Sequence, residues 1–402
     1  MNRLKLLVCV CTVFVVAVAP GALGQDRQER QFSADAAKPR IRYIVPPSKL
    51  SSKDAAKIRR QASAGTTIPL WNFSIVAYDG NTYQGSMVGR SPFYHGHRIT
   101  TIPTFLIPLR ITFADTGTVF DPTAPDPCAP GNASVDSLIL SSPILQASDF
   151  VINGVDVGST QYLDAFQRGN FWKEVGGTPY HTVFASSPTV LPTVDVTVPV
   201  ADGQTQSAGC GPVGEMDIDW WNNYLQTTIM PSLAAQGVGP ANFPQFITDS
   251  VVETIKGGCC ALGYHSAYLN NGVFQSYSVN AYDTSGGFGG DVSVMSHEVA
   301  EWMDDPTTSN PTPAWGQEGQ VFSTGTPSCS SVLEVGDPLS PGFSTPTNPF
   351  AVNLNGNSYT LQELAFYSWY FGQSPSLGAG GGYSDNGTFT GFAKPCPPGG
   401  TN

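Results

Sequence analysis

The chain has 402 residues and a formal charge of −12, with 41% apolar and only 12% charged residues. That length suits two domains and a sizeable core, while the acidity argues against nucleic acid as a partner. With 43 Gly and 33 Pro, short strands and turns are expected rather than long helices.

Residues 1–24 read as a signal peptide. Arg3 and Lys5 precede an apolar run over 6–19, and Ala22-Leu23-Gly24 offers small residues for cleavage before Gln25. The run is too short to span a bilayer, so a secreted protein without a membrane anchor is expected. Residues 25–65 hold ten Lys/Arg against four Asp/Glu and read as a disordered basic linker or propeptide. Only seven basic residues follow, so the body is more acidic than the average and favours a positive or neutral substrate.

Residues 66–200 read as a β-rich domain. Strands are expected at 71–78, 83–88, 100–113, 137–145, 149–157 and 189–200, from β-branched and aromatic runs between turn residues. One helix interrupts them, capped by Ser159 or Thr160 and carrying Tyr162, Leu163, Phe166 and Phe171. His95-Gly96-His97 could ligate a metal from a strand, although an exposed turn is the simpler expectation.

The stretch 201–214 is rich in Gly, Ser and Gln and marks a candidate boundary. Residues 201–402 read as an α+β domain. A helix over 216–237 repeats Ile218, Trp221, Leu225 and Ile229, and Pro231 is positioned to kink it. Strands over 259–268 and 274–282 lead to a second helix, and a last helix is expected over 361–371. Six cysteines follow the leader: Cys128, Cys210, Cys259, Cys260, Cys329 and Cys396. In a secreted chain they allow up to three disulfides, with the adjacent Cys259 and Cys260 bonded to two different partners.

The second helix carries the chemistry. Asp291 is a candidate cap and Pro306 forbids continuation. Val292, Met295, Val299, Trp302 and Met303 form an apolar face, with His297, Glu298 and Glu301 opposite. His297 and Glu301 are four apart, project together and can share one metal ion. Glu298 beside them can take a proton from a water held on that ion. The competing reading is a surface helix with a solvated polar face. Asp304-Asp305 is expected to cap the following turn or to hold a structural cation such as Ca²⁺.

This segment resembles the active-site helix of zincin metallopeptidases, with a Glu in place of the second His. The resemblance implies an α+β fold with a zincin-like domain, a Zn²⁺ ion and a peptide or protein substrate. The Glu adds negative charge and shifts preference toward a harder ion. In gluzincin-type relatives a downstream Glu completes the ligand set, which points to Glu334. Asp337 is a supporting residue or a direct ligand, and His265 is a third ligand or an oxyanion donor, a part Tyr264 could also play.

A second resemblance covers residues 250–340. Ser296-His297-Glu298-Val299-Ala300-Glu301, Ala314-Trp315, Glu334-Val335-Gly336-Asp337 and the segment from Cys260 to His265 are similar, in order, to motifs of plant phosphate-induced, exordium-like secreted proteins. That family is linked to growth and the cell wall. The two resemblances imply either a secreted metal-dependent hydrolase or a non-catalytic extracellular or cell-wall protein with a structural metal. A glycosidase has no identifiable pair of carboxylates, and no GxSxG supports a serine hydrolase.

Overall fold

The computed structural model describes residues 50–396 apart from 51, 96, 256–257, 289, 317–328, 341–349 and 394. The expected signal peptide and residues 25–49 lie outside the described residues. The fold is α+β, with helices and several mixed sheets.

The largest sheet runs in the order Val194–Val198, Thr104–Phe113, Phe243–Asp249, Val273–Tyr282, Gly263–Asn270. The first four strands are parallel, and Gly263–Asn270 is an antiparallel edge. Parallel strands need cover on both faces, and every residue of Phe243–Asp249 is buried. Alternate residues feed two cores. Leu106, Phe243, Ile247, Ala267 and Phe274 pack with Met295, Val299 and Trp302 of helix Ser293–Asp304. Ile107, Leu109, Phe246, Tyr264 and Tyr277 pack with Ile218, Trp221 and Leu225 of the helix beginning at Ile218.

The division at residue 200 does not separate two bodies in space. Thr104–Phe113 and Val194–Val198 share their sheet with strands from beyond residue 200, and the described residues form one compact unit. A non-local parallel pairing leaves no mark in composition, which is why the Gly/Ser-rich stretch looked like a boundary. That stretch holds the edge strand Gly203–Ser207 of a four-stranded sheet.

Other expectations change in detail. Residues 137–145 are not a strand; helix Val135–Leu140 takes that place, burying Leu138 and Ile139. The expected strand 149–157 is a hairpin that turns at Asn153-Gly154, both with positive φ. Pro103 separates Ile99–Ile102 from Thr104–Phe113. The last helix is only Tyr367–Phe371, because Asn357–Leu361 pairs as a strand. Part of the supposed disordered linker is helix Ser52–Ser63, which buries Ile58. Gln61 docks it, donating to Gly272 O at 2.7 Å and accepting from Phe274 N at 2.9 Å.

Cys128 joins Cys210 and Cys329 joins Cys396. Cys260 is also disulfide-bonded. With the other four paired to each other, Cys260 does not bond outward to any of them. Among the described residues no helix is long and apolar enough to cross a membrane.

Trp302 ties the helix to the sheet. Its ring stacks on Phe243 at 3.7 Å between centroids, and its Nε1 donates to Ser276 Oγ at 2.9 Å. Trp302→Ala is expected to lower unfolding free energy by about 3–5 kcal/mol in denaturant titrations. Trp220→Ala, at a half-buried ring stacked on Tyr224, is expected to cost far less.

Candidate metal centre

Helix Ser293–Asp304 has no solvated face. Residues 294–304 are all buried, and His297, Glu298 and Glu301 are each at most 1% exposed. The surface-helix reading is therefore excluded. The helix starts where Asp291 Oδ1 accepts from Ser293 N at 3.1 Å and stops before Pro306. Asp305 caps the turn, accepting from Thr307 and Asn310, while Asp304 accepts from Gln167 and Asn170. These donors engage the acidic pair's oxygens, as the capping reading expects.

Three distant segments bring polar atoms to the helix. The edge strand Gly263–Asn270 supplies His265, fully buried. A Cβ on Gly263 would press on Val294 and Glu298, so glycine there lets strand and helix close together. The loop 334–340 supplies Glu334 and Asp337. It closes on the helix because Gly336 has no side chain; a Cβ there would collide with the His297 ring. Trp315 packs on Tyr370 at 5.6 Å, and the Tyr370 hydroxyl donates to Glu334 O, so the Ala314-Trp315 motif supports the loop.

All six candidate residues thus converge, while His95 and His97 are exposed and belong to no such group among the described residues. His297, Glu301 and Asp337 form one group whose ligand atoms all lie within 4.8 Å of one another; His265, Glu298 and Glu301 form another. Glu301 is common to both. Its Oε1 lies 3.0 Å from His297 Nε2 and accepts from the backbone N of Gly336 and Asp337 at 3.1 and 3.2 Å. Its Oε2 lies 3.6 Å from His265 Nδ1. Asp337 Oδ1 is 3.8 Å from His297 Nε2, and Asp337 is the one partly exposed member, at 20% of its side chain. Tyr264 is not a member; its ring lies in the core on the opposite face of the sheet.

Three supporting residues are not legible in the sequence. Gln362 Oε1 accepts from His297 Nδ1 at 3.0 Å, and its amide is fixed because Nε2 donates to Gly336 O at 2.6 Å. Ser340 Oγ lies 3.5 Å from His297 Nδ1 and donates to Gly336 O. The carbonyl of Asp305 lies 3.1 Å from His265 Nε2. Each acts from a remote segment or through backbone, so no local spacing could announce it. A ligand His held through its other nitrogen is the usual arrangement at metal sites.

Electrostatics also suit a cation. Burial lowers the His297 pKa, but the Glu301, Glu298 and Asp337 carboxylates overcome it and raise it to about 10. Burial, then repulsion from Glu301, pushes both Glu334 and Asp337 well above the ordinary carboxylate range. Burial works against ionised Glu301, but His297 and His265 more than offset it, so its pKa is lowered. Glu334 Oε2 and Asp337 Oδ1 are buried without a hydrogen-bond partner. Unsatisfied carboxylate oxygens beside imidazoles are costly without a cation. These buried His, Glu and Asp groups could hold a metal ion.

No protein-family model, curated protein or solved structure matches the chain.

Two outcomes follow from this geometry. Gly336→Ala is expected to destabilise by about 1–3 kcal/mol and to weaken metal binding, read by thermal denaturation with and without Zn²⁺. The pH sign comes from His297, whose folded pKa lies above its ordinary 6.5. Its contribution to stability is full below 6.5 and is lost as pH rises through about 10. A bound ion replaces that proton and those on Glu334 and Asp337. The Tm gain from Zn²⁺ is therefore expected to be larger near pH 8 than near pH 6, with protons released on titration.

Proposed function

We propose that the chain is a secreted metal-dependent hydrolase, a zinc metallopeptidase-like protein acting on peptide or protein substrates. The observation that carries this reading is the buried meeting of His297, Glu301 and Asp337, with Glu298 on the next helical position. One imidazole with carboxylate oxygens suits zinc, and the carboxylate excess also admits a harder divalent ion. When bound, such an ion supplies Lewis acidity to a carbonyl and lowers the pKa of a water.

Burial raises the Glu298 pKa against the opposing pull of His265 and His297. A carboxylate tuned upward in this way is a suitable general base, taking the water's proton and returning it to the leaving amine. His265, 3.4 Å from Glu298 Oε2, orients that carboxylate and is a candidate donor to the developing oxyanion. Asp337 marks the side from which substrate would reach the group. Two disulfides fit an oxidising, extracellular setting.

The depth of the group favours a second reading. His265, His297, Glu298 and Glu301 are nearly inaccessible, as in a structural metal site of an extracellular or cell-wall protein. Cleavage of a peptide library separates the two. Catalysis predicts that Glu298→Gln keeps the ion held by His297 and loses about 10²–10⁴-fold in turnover. A structural ion predicts no cleavage by the wild type, with Tm falling when the ion is chelated or His297→Ala is introduced.

A further inference from the structure

The His297 group leaves half of the buried cluster unused. On the far side of Glu301, His265 Nδ1 lies 3.4 Å from Glu298 Oε2 and 3.6 Å from Glu301 Oε2. Both separations exceed a normal N–H···O bond of about 2.7–3.2 Å. They match instead the spacing of ligand atoms around one ion. Ligands about 2.1 Å from a tetrahedral cation stand about 3.4 Å from one another. The corresponding separations in the His297 group, 3.0 and 3.8 Å, bracket the same value.

The imidazole is prepared for this role. His265 Nε2 faces the Asp305 carbonyl at 3.1 Å, and a carbonyl can only accept. Nε2 therefore keeps its proton, and Nδ1 faces the two carboxylates, where a bound cation would take the place of a proton. His297 is arranged likewise, with Nδ1 donating to Gln362 Oε1 and Nε2 facing Glu301. Two imidazoles thus present one ring nitrogen each to opposite oxygens of one carboxylate.

We infer that the chain holds a second divalent-cation site, formed by His265 Nδ1, Glu298 Oε2 and Glu301 Oε2 and joined to the His297 site through the Glu301 carboxylate. The bridging part of the inference rests on the first ion being held as proposed above. Glu298 cannot be both ligand and proton acceptor, so filling the second site removes the general base. Excess ion then inhibits hydrolysis, and the second site acts as a brake set by metal concentration.

The test is a Mn²⁺ titration of the full mature protein, read by bound-metal analysis and electron paramagnetic resonance. The expected result is two ions per chain with an exchange-coupled signal at saturation. His265→Gln and Glu298→Gln should each bind one ion and lose the coupling. One uncoupled ion in the wild type overturns the second site and leaves the hydrolase reading standing. No ion in the wild type overturns both. Two ions with no coupling, or two retained in both variants, place the second ion elsewhere and also overturn the inference. The wild-type signal decides the matter even where a variant fails to fold.

Discussion

One carboxylate, that of Glu301, holds the centre of this molecule together. It sits in the interior with an imidazole on either side and two backbone amides on one oxygen. An ionised carboxylate so deep is tolerated only with compensating charge and donors, and this one has both. Its partners come from the edge strand, its own helix and the loop after residue 333, so the same bonds that stabilise the charge also fasten three elements. The two carboxylates on the loop after residue 333 are less well compensated. Glu334 and Asp337 each keep a buried oxygen without a partner, and that imbalance is the strongest physical argument for a cation.

The part of this site that obeys helical spacing was legible in the sequence. His297 and Glu301 project together because they are four apart, and Asp291 and Pro306 bound the helix as their chemistry requires. Glu334, Asp337 and His265 entered through resemblance to known motifs, not through any distance the sequence contains. Gln362 and Ser340 had no signal, since a residue that orients a ligand from another segment needs no pattern around it. The polar side of the helix was the instructive case. Amphipathic spacing suggested solvent, yet strand Asn357–Leu361 and the loop around Gly336 cover it. Periodicity reports a difference between faces and is silent on what lies against each one.

The fold was legible at the level of class and of its strongest strands. The α+β class and the runs near 83–88 and 274–282 follow from β-branched and aromatic content. Errors gathered where tertiary contacts override propensity. Residues 137–145 hold Leu and Ile that serve a buried helix equally well, and the basic segment before residue 65 hides a helix fastened by Gln61. The domain boundary was misplaced because parallel pairing of Thr104–Phe113 with Phe243–Asp249 joins residues far apart in the chain.

A hydrolase with one ion, a brake with two and a structural centre all require a cation beside Glu301. Anomalous X-ray scattering at the zinc edge, on crystals of the mature protein grown with Zn²⁺, tests that requirement directly. The account predicts a peak about 2.1 Å from His297 Nε2 and Glu301 Oε1, on the side of Asp337. Absence of a peak there, with the His297–Glu301 contact unchanged and zinc in excess, would contradict it.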